Sequence, residues 1–146
     1  MTNRKLLVIG ATGQTGRYTT ETLLQRGHRV RALVRRIDGR SEALTTLGAE
    51  VVVGDVHDLD SLAHATEGID AAYFTYPILP GLMDATANLA QAAEENEVGA
   101  MVNMSQISAR REAASNAARQ HWVAERLLDR SPVAVTHLRP PSSPNG

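Results

Sequence analysis

The stretch Leu6-Leu7-Val8-Ile9-Gly10-Ala11-Thr12-Gly13-Gln14-Thr15-Gly16 decides how this chain folds. Its first four residues form a continuous apolar run, the pattern of a strand buried on both faces of a parallel sheet. From Gly13 to Arg26 the period turns helical, with Gly16, Thr20, Leu23 and Leu24 on one face and Gly27 as a natural stop. Between strand and helix stand Gly10, Gly13 and Gly16. In such a turn the first glycine permits the tight bend, the second lets backbone approach a pyrophosphate, and the third allows close helix–strand packing. Unpaired N–H groups at the helix start then favour an anion. The spacing is G-x-x-G-x-x-G rather than the common G-x-G-x-x-G fingerprint. A ligand-free turn is the competing reading, but three regularly spaced glycines, each costly in conformational entropy, argue for a bound dinucleotide.

Outward from this turn, short β-branched runs alternate with helical stretches. Strands are expected at 29–34, 50–53, 71–75, 100–104 and 133–138. Helices are expected at 41–47 (capped by Ser41, ended by Gly48), 58–66, 82–96 and 113–130. Leu82, Thr86, Leu89 and Ala93 make the buried stripe of the fourth helix. Alternation of this kind implies right-handed crossovers and an α/β, doubly wound parallel sheet of about six strands: a Rossmann fold of order 3-2-1-4-5-6. Residues 1–140 form the expected dinucleotide-binding domain, and the Pro/Ser-rich residues 141–146 a coil tail.

Composition narrows the function classes. The 146 residues suit one domain, 42% are hydrophobic and 21% charged, and the net charge of −1 calls for neither nucleic acid nor an anionic membrane. No cysteine is present, which removes disulfides and thiolate chemistry. No signal-peptide core or membrane-length apolar run stands out, so a cytoplasmic enzyme or binding domain is expected. Asp55, His57, Asp58 and Asp60 cluster after the third strand, but Asp58 reads as a helix cap and Asp60 as a dipole partner, and no metal site is expected.

The tip of the second strand chooses the cofactor. An NAD-binding domain places a carboxylate about 20 residues beyond the glycine turn to hold the ribose 2′-hydroxyl. Here Ala32-Leu33-Val34 runs into Arg35-Arg36. Guanidinium groups grip a 2′-phosphate through paired hydrogen bonds, so NADP(H) is preferred, with Arg35 as first ligand and Arg36 as second. Asp38, close by, leaves NAD(H) open. Asp55, at the edge of the third strand, can accept from an adenine amine.

The glycine turn, Arg35, Gly54-Asp55, the His121-x-x-x-Glu125 pair and Thr136-His137-Leu138-Arg139-Pro140 together resemble the NmrA-like family, an atypical branch of the short-chain dehydrogenase/reductase superfamily. The resemblance runs from about Lys5 to Pro140. It implies that Gly10, Thr12, Gly13, Gln14, Thr15 and Gly16 surround the pyrophosphate. Arg35 would meet the 2′-phosphate, and Asp55 with Val56 the adenine. Thr75, Tyr76, Pro77 and Ser105 would lie beside the nicotinamide ribose. It also implies an NAD(P)H:quinone reductase-like activity or an NADP-sensing regulatory role.

Two departures qualify this. The superfamily's Tyr-x-x-x-Lys acid–base pair cannot form, because Lys5 is the only lysine and the tyrosines are Tyr18, Tyr73 and Tyr76. His121 is the candidate proton donor in its place, although an i, i+4 pairing with Glu125 on the helix surface is the expected arrangement. Members of the family continue beyond the Leu-Arg-Pro strand into a substrate region. This chain stops seven residues after Arg139, which leads to the expectation of a short or truncated form with an open acceptor side and an apolar edge suited to self-association. The leading expectation is an NADPH-dependent oxidoreductase with a small quinone-like acceptor. The alternative is a non-catalytic NADP(H) sensor that binds a protein partner. A hydrolase built on Ser105, His121 and Asp129 is set aside for want of a G-x-S-x-G elbow.

Overall fold

The computed structural model describes residues 4–77 and 79–140. The coil expected at 141–146 lies outside the described residues. β1 (Lys5–Ile9) pairs in parallel on one side with β2 (Arg29–Val34) and on the other with β4 (Ala71–Phe74). β3 (Glu50–Val53), β5 (Ala100–Met104) and β6 (Ala134–Leu138) extend the sheet to the order β3-β2-β1-β4-β5-β6, with every pairing parallel. This is the doubly wound order expected from the alternation of elements.

Alternation along β1 explains the two helical layers. Val8 points to one face, where it packs with Ala32, Val34, Leu44 and Ala49 under α1 (Gln14–Gln25) and α2 (Gly39–Leu47). Leu7 and Ile9 point to the other, into the larger core. There they join Leu62 of α3 (Leu59–Ala65), Leu89 of α4 (Leu82–Glu95) and Leu128 of α5 (Asn116–Asp129). Leu82, Thr86, Leu89 and Ala93 are all buried, as the helical spacing predicts. The chain leaves β3 and returns past β1 to start β4, so a crevice opens between β1 and β4 at the carboxyl ends of the strands.

Three boundaries differ from expectation, each for a capping reason. α2 starts at Gly39 because Asp38, not Ser41, is its N-cap. The Asp38 side chain accepts from the amides of Arg40 and Ser41, and the Ser41 hydroxyl accepts from the Asp38 amide. α5 starts at Asn116 rather than 113, where Ser115 accepts from the Ala118 amide. Asp58 is the N-cap of α3, as expected, which puts the first helical residue at Leu59 rather than 58. At the opposite end of the sheet, the buried Arg31 satisfies the carbonyls of Ala65 and Glu67 and pairs with Glu50, closing the last turn of α3 onto β2.

Candidate dinucleotide crevice

The glycine turn owes its shape to missing side chains. Gly10 has φ +82°, a left-handed conformation, and a Cβ there would lie 2.4 Å from Thr75 Cγ2. The Gly13 amide donates to the Gly10 carbonyl at 3.1 Å, folding the turn back on itself. A Cβ on Gly16 would lie 2.0 Å from the same carbonyl, so only glycine lets α1 rest on the end of β1. No side chain caps the N-terminus of α1, and no acidic residue sits in its first turn. Its first amides therefore remain free for an anion, and the cradle fits a pyrophosphate.

Two joined hollows flank the turn, sharing Thr12, Val34 and Arg35. One, of about 380 Å³, is lined by these residues with Arg36, Asp38 and Arg40. The other, of about 190 Å³, runs past Gly10, Gly54, Val56, Thr75, Tyr76 and Pro77. Gly13 and Gln14 line a third hollow on the outer flank of the turn, next to Arg17 and Arg40. Thr15 is exposed in the first turn of α1, and Gly16 is buried beneath it. Asp55 sits at the rim, where it accepts from the His57 amide at 2.9 Å and faces Arg35 at 3.9 Å.

Arg40 and His57 complete the crevice, though the sequence marked Arg40 not at all and His57 only within an acidic cluster weighed as a metal site. Arg40 could have been found as a third guanidinium just inside the helix after Arg35-Arg36. The His57 ring lies 3.0 Å from the Tyr76 hydroxyl, which in turn donates to the Pro80 carbonyl at 2.7 Å. The two rings meet edge to face at 5.9 Å and tie the loop after β3 to the loop after β4. Burial, with Asp55 and Asp84 nearby, pushes the Tyr76 hydroxyl above its usual range and keeps it protonated.

Ser105 and His121 are not brought into these hollows. They belong to a polar network between α5 and the ends of β5 and β6. Glu125 is 0% exposed, and Arg139 clamps both its oxygens, through Nε at 2.9 Å and through its terminal nitrogen. Arg126 adds a contact at 3.2 Å. Burial alone would raise the Glu125 carboxyl, but Arg139 and the nearby Ser105 hydroxyl outweigh it and hold the group below its usual range. Ser105 Oγ is itself buried, at a geometry short of a full hydrogen bond.

The surface pairing expected for His121 and Glu125 is corrected here. Arg139 and Arg126 engage the carboxylate, and His121 is buried, which lowers its pKa despite the attraction of Glu125. Asp129 accepts from His137 at 2.7 Å instead of serving His121, so the Ser105, His121 and Asp129 set aside earlier do not assemble. Lys5 pairs with Glu50 at 3.2 Å at the amino end of β1, remote from the crevice.

The sheet order, the glycine cradle and the crevice define a dinucleotide-binding α/β domain. A family model described as NAD(P)H-binding matches residues 10–146. Among solved structures, the NADPH-dependent quinone oxidoreductase of Escherichia coli, complexed with NADPH, is 26% identical, with a TM-score of 0.82 over 92% of this chain and 48% of that one. The triphenylmethane reductase of Citrobacter sp., complexed with NADP(H), is 27% identical, with the same TM-score and coverage. Eugenol synthase 2 of Clarkia breweri is 32% identical over 101 residues, 64% of this chain and 32% of the relative. The chain belongs to the NAD(P)H-binding family, with structural neighbours in the NmrA-like, atypical short-chain dehydrogenase/reductase group. It spans about half the length of the solved reductases and about a third of the curated relative. Among the described residues, no helix is long and apolar enough to cross a membrane.

Proposed function

We propose that residues 1–140 are the cofactor-binding domain of an NADPH-dependent reductase whose acceptor is a small, quinone-like molecule. One observation carries the cofactor choice. Arg35, Arg36 and Arg40 surround one hollow beside the glycine turn, and Asp38, the one carboxylate lining it among the described residues, already commits one oxygen to capping α2. A ribose 2′-hydroxyl finds there only the second oxygen of Asp38, which faces Arg36 and Arg40, whereas a 2′-phosphate finds three guanidinium groups. The amides at the start of α1 hold the pyrophosphate, and Val56 with Asp55 flanks the adenine. Thr75, Tyr76 and Pro77 border the adjoining ribose, while Ser105 lies at the end of β5, towards the nicotinamide half.

When bound, the cofactor supplies a hydride. The chain's own work is to bind it, orient it and keep Tyr76 protonated and fixed. His121, with its depressed pKa, is neutral at pH 7 and is a poor acid, so the proton that accompanies reduction is assigned to solvent. Reduction of a quinone-like acceptor suits this arrangement, because positioning alone can serve hydride transfer and no Tyr–Lys pair is available. The similarity to an NADPH-dependent quinone oxidoreductase supports this reading.

The remoteness of Lys5 also favours a second reading, a NADP(H) sensor that signals to a protein partner without turnover. NADPH oxidation measured with and without a menadione-type quinone separates the two. Stimulation by the quinone supports the reductase, and tight binding without stimulation supports the sensor. Absence of NADP(H) binding contradicts both.

A further inference from the structure

We propose that Asp38 is a specificity-determining residue of the crevice, an internal counter-ion for Arg36 and Arg40 that moderates how tightly a phosphorylated adenosine is held. The inference rests on the 2′-phosphate reading of the hollow lined by Arg35, Arg36 and Arg40. Its position is fixed by backbone. Asp38 Oδ1 accepts from the Arg40 amide at 3.0 Å and the Ser41 amide at 3.3 Å. The Ser41 hydroxyl returns the contact by accepting from the Asp38 amide at 2.8 Å. A carboxylate held by two backbone amides, on a residue whose own amide is also tied, does not swing out of the way when a ligand arrives.

Its second oxygen faces the cations. Asp38 Oδ2 lies 3.7 Å from Arg36 Nε and 3.5 Å from a terminal nitrogen of Arg40, and all three side chains line the same hollow. These separations exceed the 2.7–3.2 Å of a direct hydrogen bond. The guanidinium groups are therefore attracted but not locked, and their side chains remain 80% and 65% exposed. The amide of Ser41, above all, lowers the Asp38 pKa, so the carboxylate is charged at neutral pH. An incoming phosphate dianion meets two guanidinium groups that already share a fixed negative charge. A neutral 2′-hydroxyl meets no such competition. Asp38 therefore weakens phosphate binding selectively, and the paired arginines retain enough charge for the phosphate to prevail.

Isothermal titration of the whole chain with adenosine 2′,5′-bisphosphate and with 5′-AMP tests this. Asp38→Asn and Asp38→Ser both keep an N-cap acceptor and remove the charge. Each is expected to tighten the bisphosphate about three- to tenfold, with 5′-AMP changed less than twofold. Circular dichroism melts identify which variant is folded, and a result from either one suffices. Unchanged or weaker bisphosphate binding, or equal tightening of both ligands, overturns the proposal. Arg35→Ala and Arg40→Ala keep the two failures apart. If they weaken the bisphosphate while the Asp38 variants do not tighten it, only the counter-ion role falls. If they leave the bisphosphate unchanged, the 2′-phosphate reading falls and takes this inference with it.

Discussion

Glu125 is a fully buried carboxylate whose charge is held by Arg139, with a lesser contribution from Arg126. Removing one partner of a buried ion pair strands the other in a medium that penalises bare charge. Arg139→Ala is expected to destabilise the fold by about 3 kcal/mol, the low end of the usual range, because Arg126 remains and Arg139 is partly solvated. Urea denaturation at pH 7 measures it, and a loss below about 1 kcal/mol would show that the pair is not structural. The pH dependence has a definite sign. His121 and Glu125 both have folded pKa values depressed below their ordinary 6.5 and 4.5. Each therefore contributes stability that is present above its unfolded pKa and is lost as pH falls through its folded one. The melting temperature should decline in two stages, starting below about pH 6.5 and again below about pH 4.5. His121→Gln should remove the first stage alone.

At this scale the placement of Arg35 and Arg36 beside the glycine turn was legible, because a basic pair directly after the second strand must lie at its carboxyl end. Arg40 was not, because its part depends on where Asp38 starts the next helix. His121 looked like a surface residue because i, i+4 spacing with Glu125 says which side chains are neighbours. It does not say which strand covers them. Arg139, just past the end of β6 and fourteen residues away, took the carboxylate.

Among the elements, the β1–α1 junction is the most constrained by sequence. Gly16→Ala would place a methyl group against the Gly10 carbonyl, and neither backbone can yield without lifting α1 from the sheet. The expected cost exceeds the 1–3 kcal/mol of ordinary overpacking, with loss of dinucleotide binding, both read in one thermal-shift titration. Gly39 offers the contrast. It opens α2 with open space where a Cβ would go and no left-handed backbone. Gly39→Ala is expected to raise stability by about 0.4–1 kcal/mol, through the unfolded state. Unchanged or lower stability would show that the first turn of α2 needs glycine for a reason beyond sterics. Six strand positions and the buried stripe of α4 followed from hydrophobic patterning. The starts of α2 and α5 did not, because Asp38 and Ser41 both offer a cap for α2, and the helical pattern of α5 extends back past Ser115, which caps it.

Over the whole molecule, the strand order was legible because right-handed crossovers leave few alternatives for strands that alternate with helices. What escaped was the polar wall of Ser105, Glu125, His137 and Arg139, which the buried Asn103 side chain extends by meeting the His137 ring at 3.1 Å, assembled from three elements distant in sequence. A ligand that binds only the folded chain stabilises all of it. At one hundred times its dissociation constant NADPH should add about 2.7 kcal/mol, a rise of roughly 5–10 °C in melting temperature. The most direct test of the central claim is parallel titration of the chain with NADPH and NADH, followed by nicotinamide fluorescence, repeated on Arg35→Ala. Saturable binding of both is expected, with NADPH at least about tenfold tighter and that preference collapsing in the variant. Equal affinity for the two cofactors, or binding of neither, would contradict it.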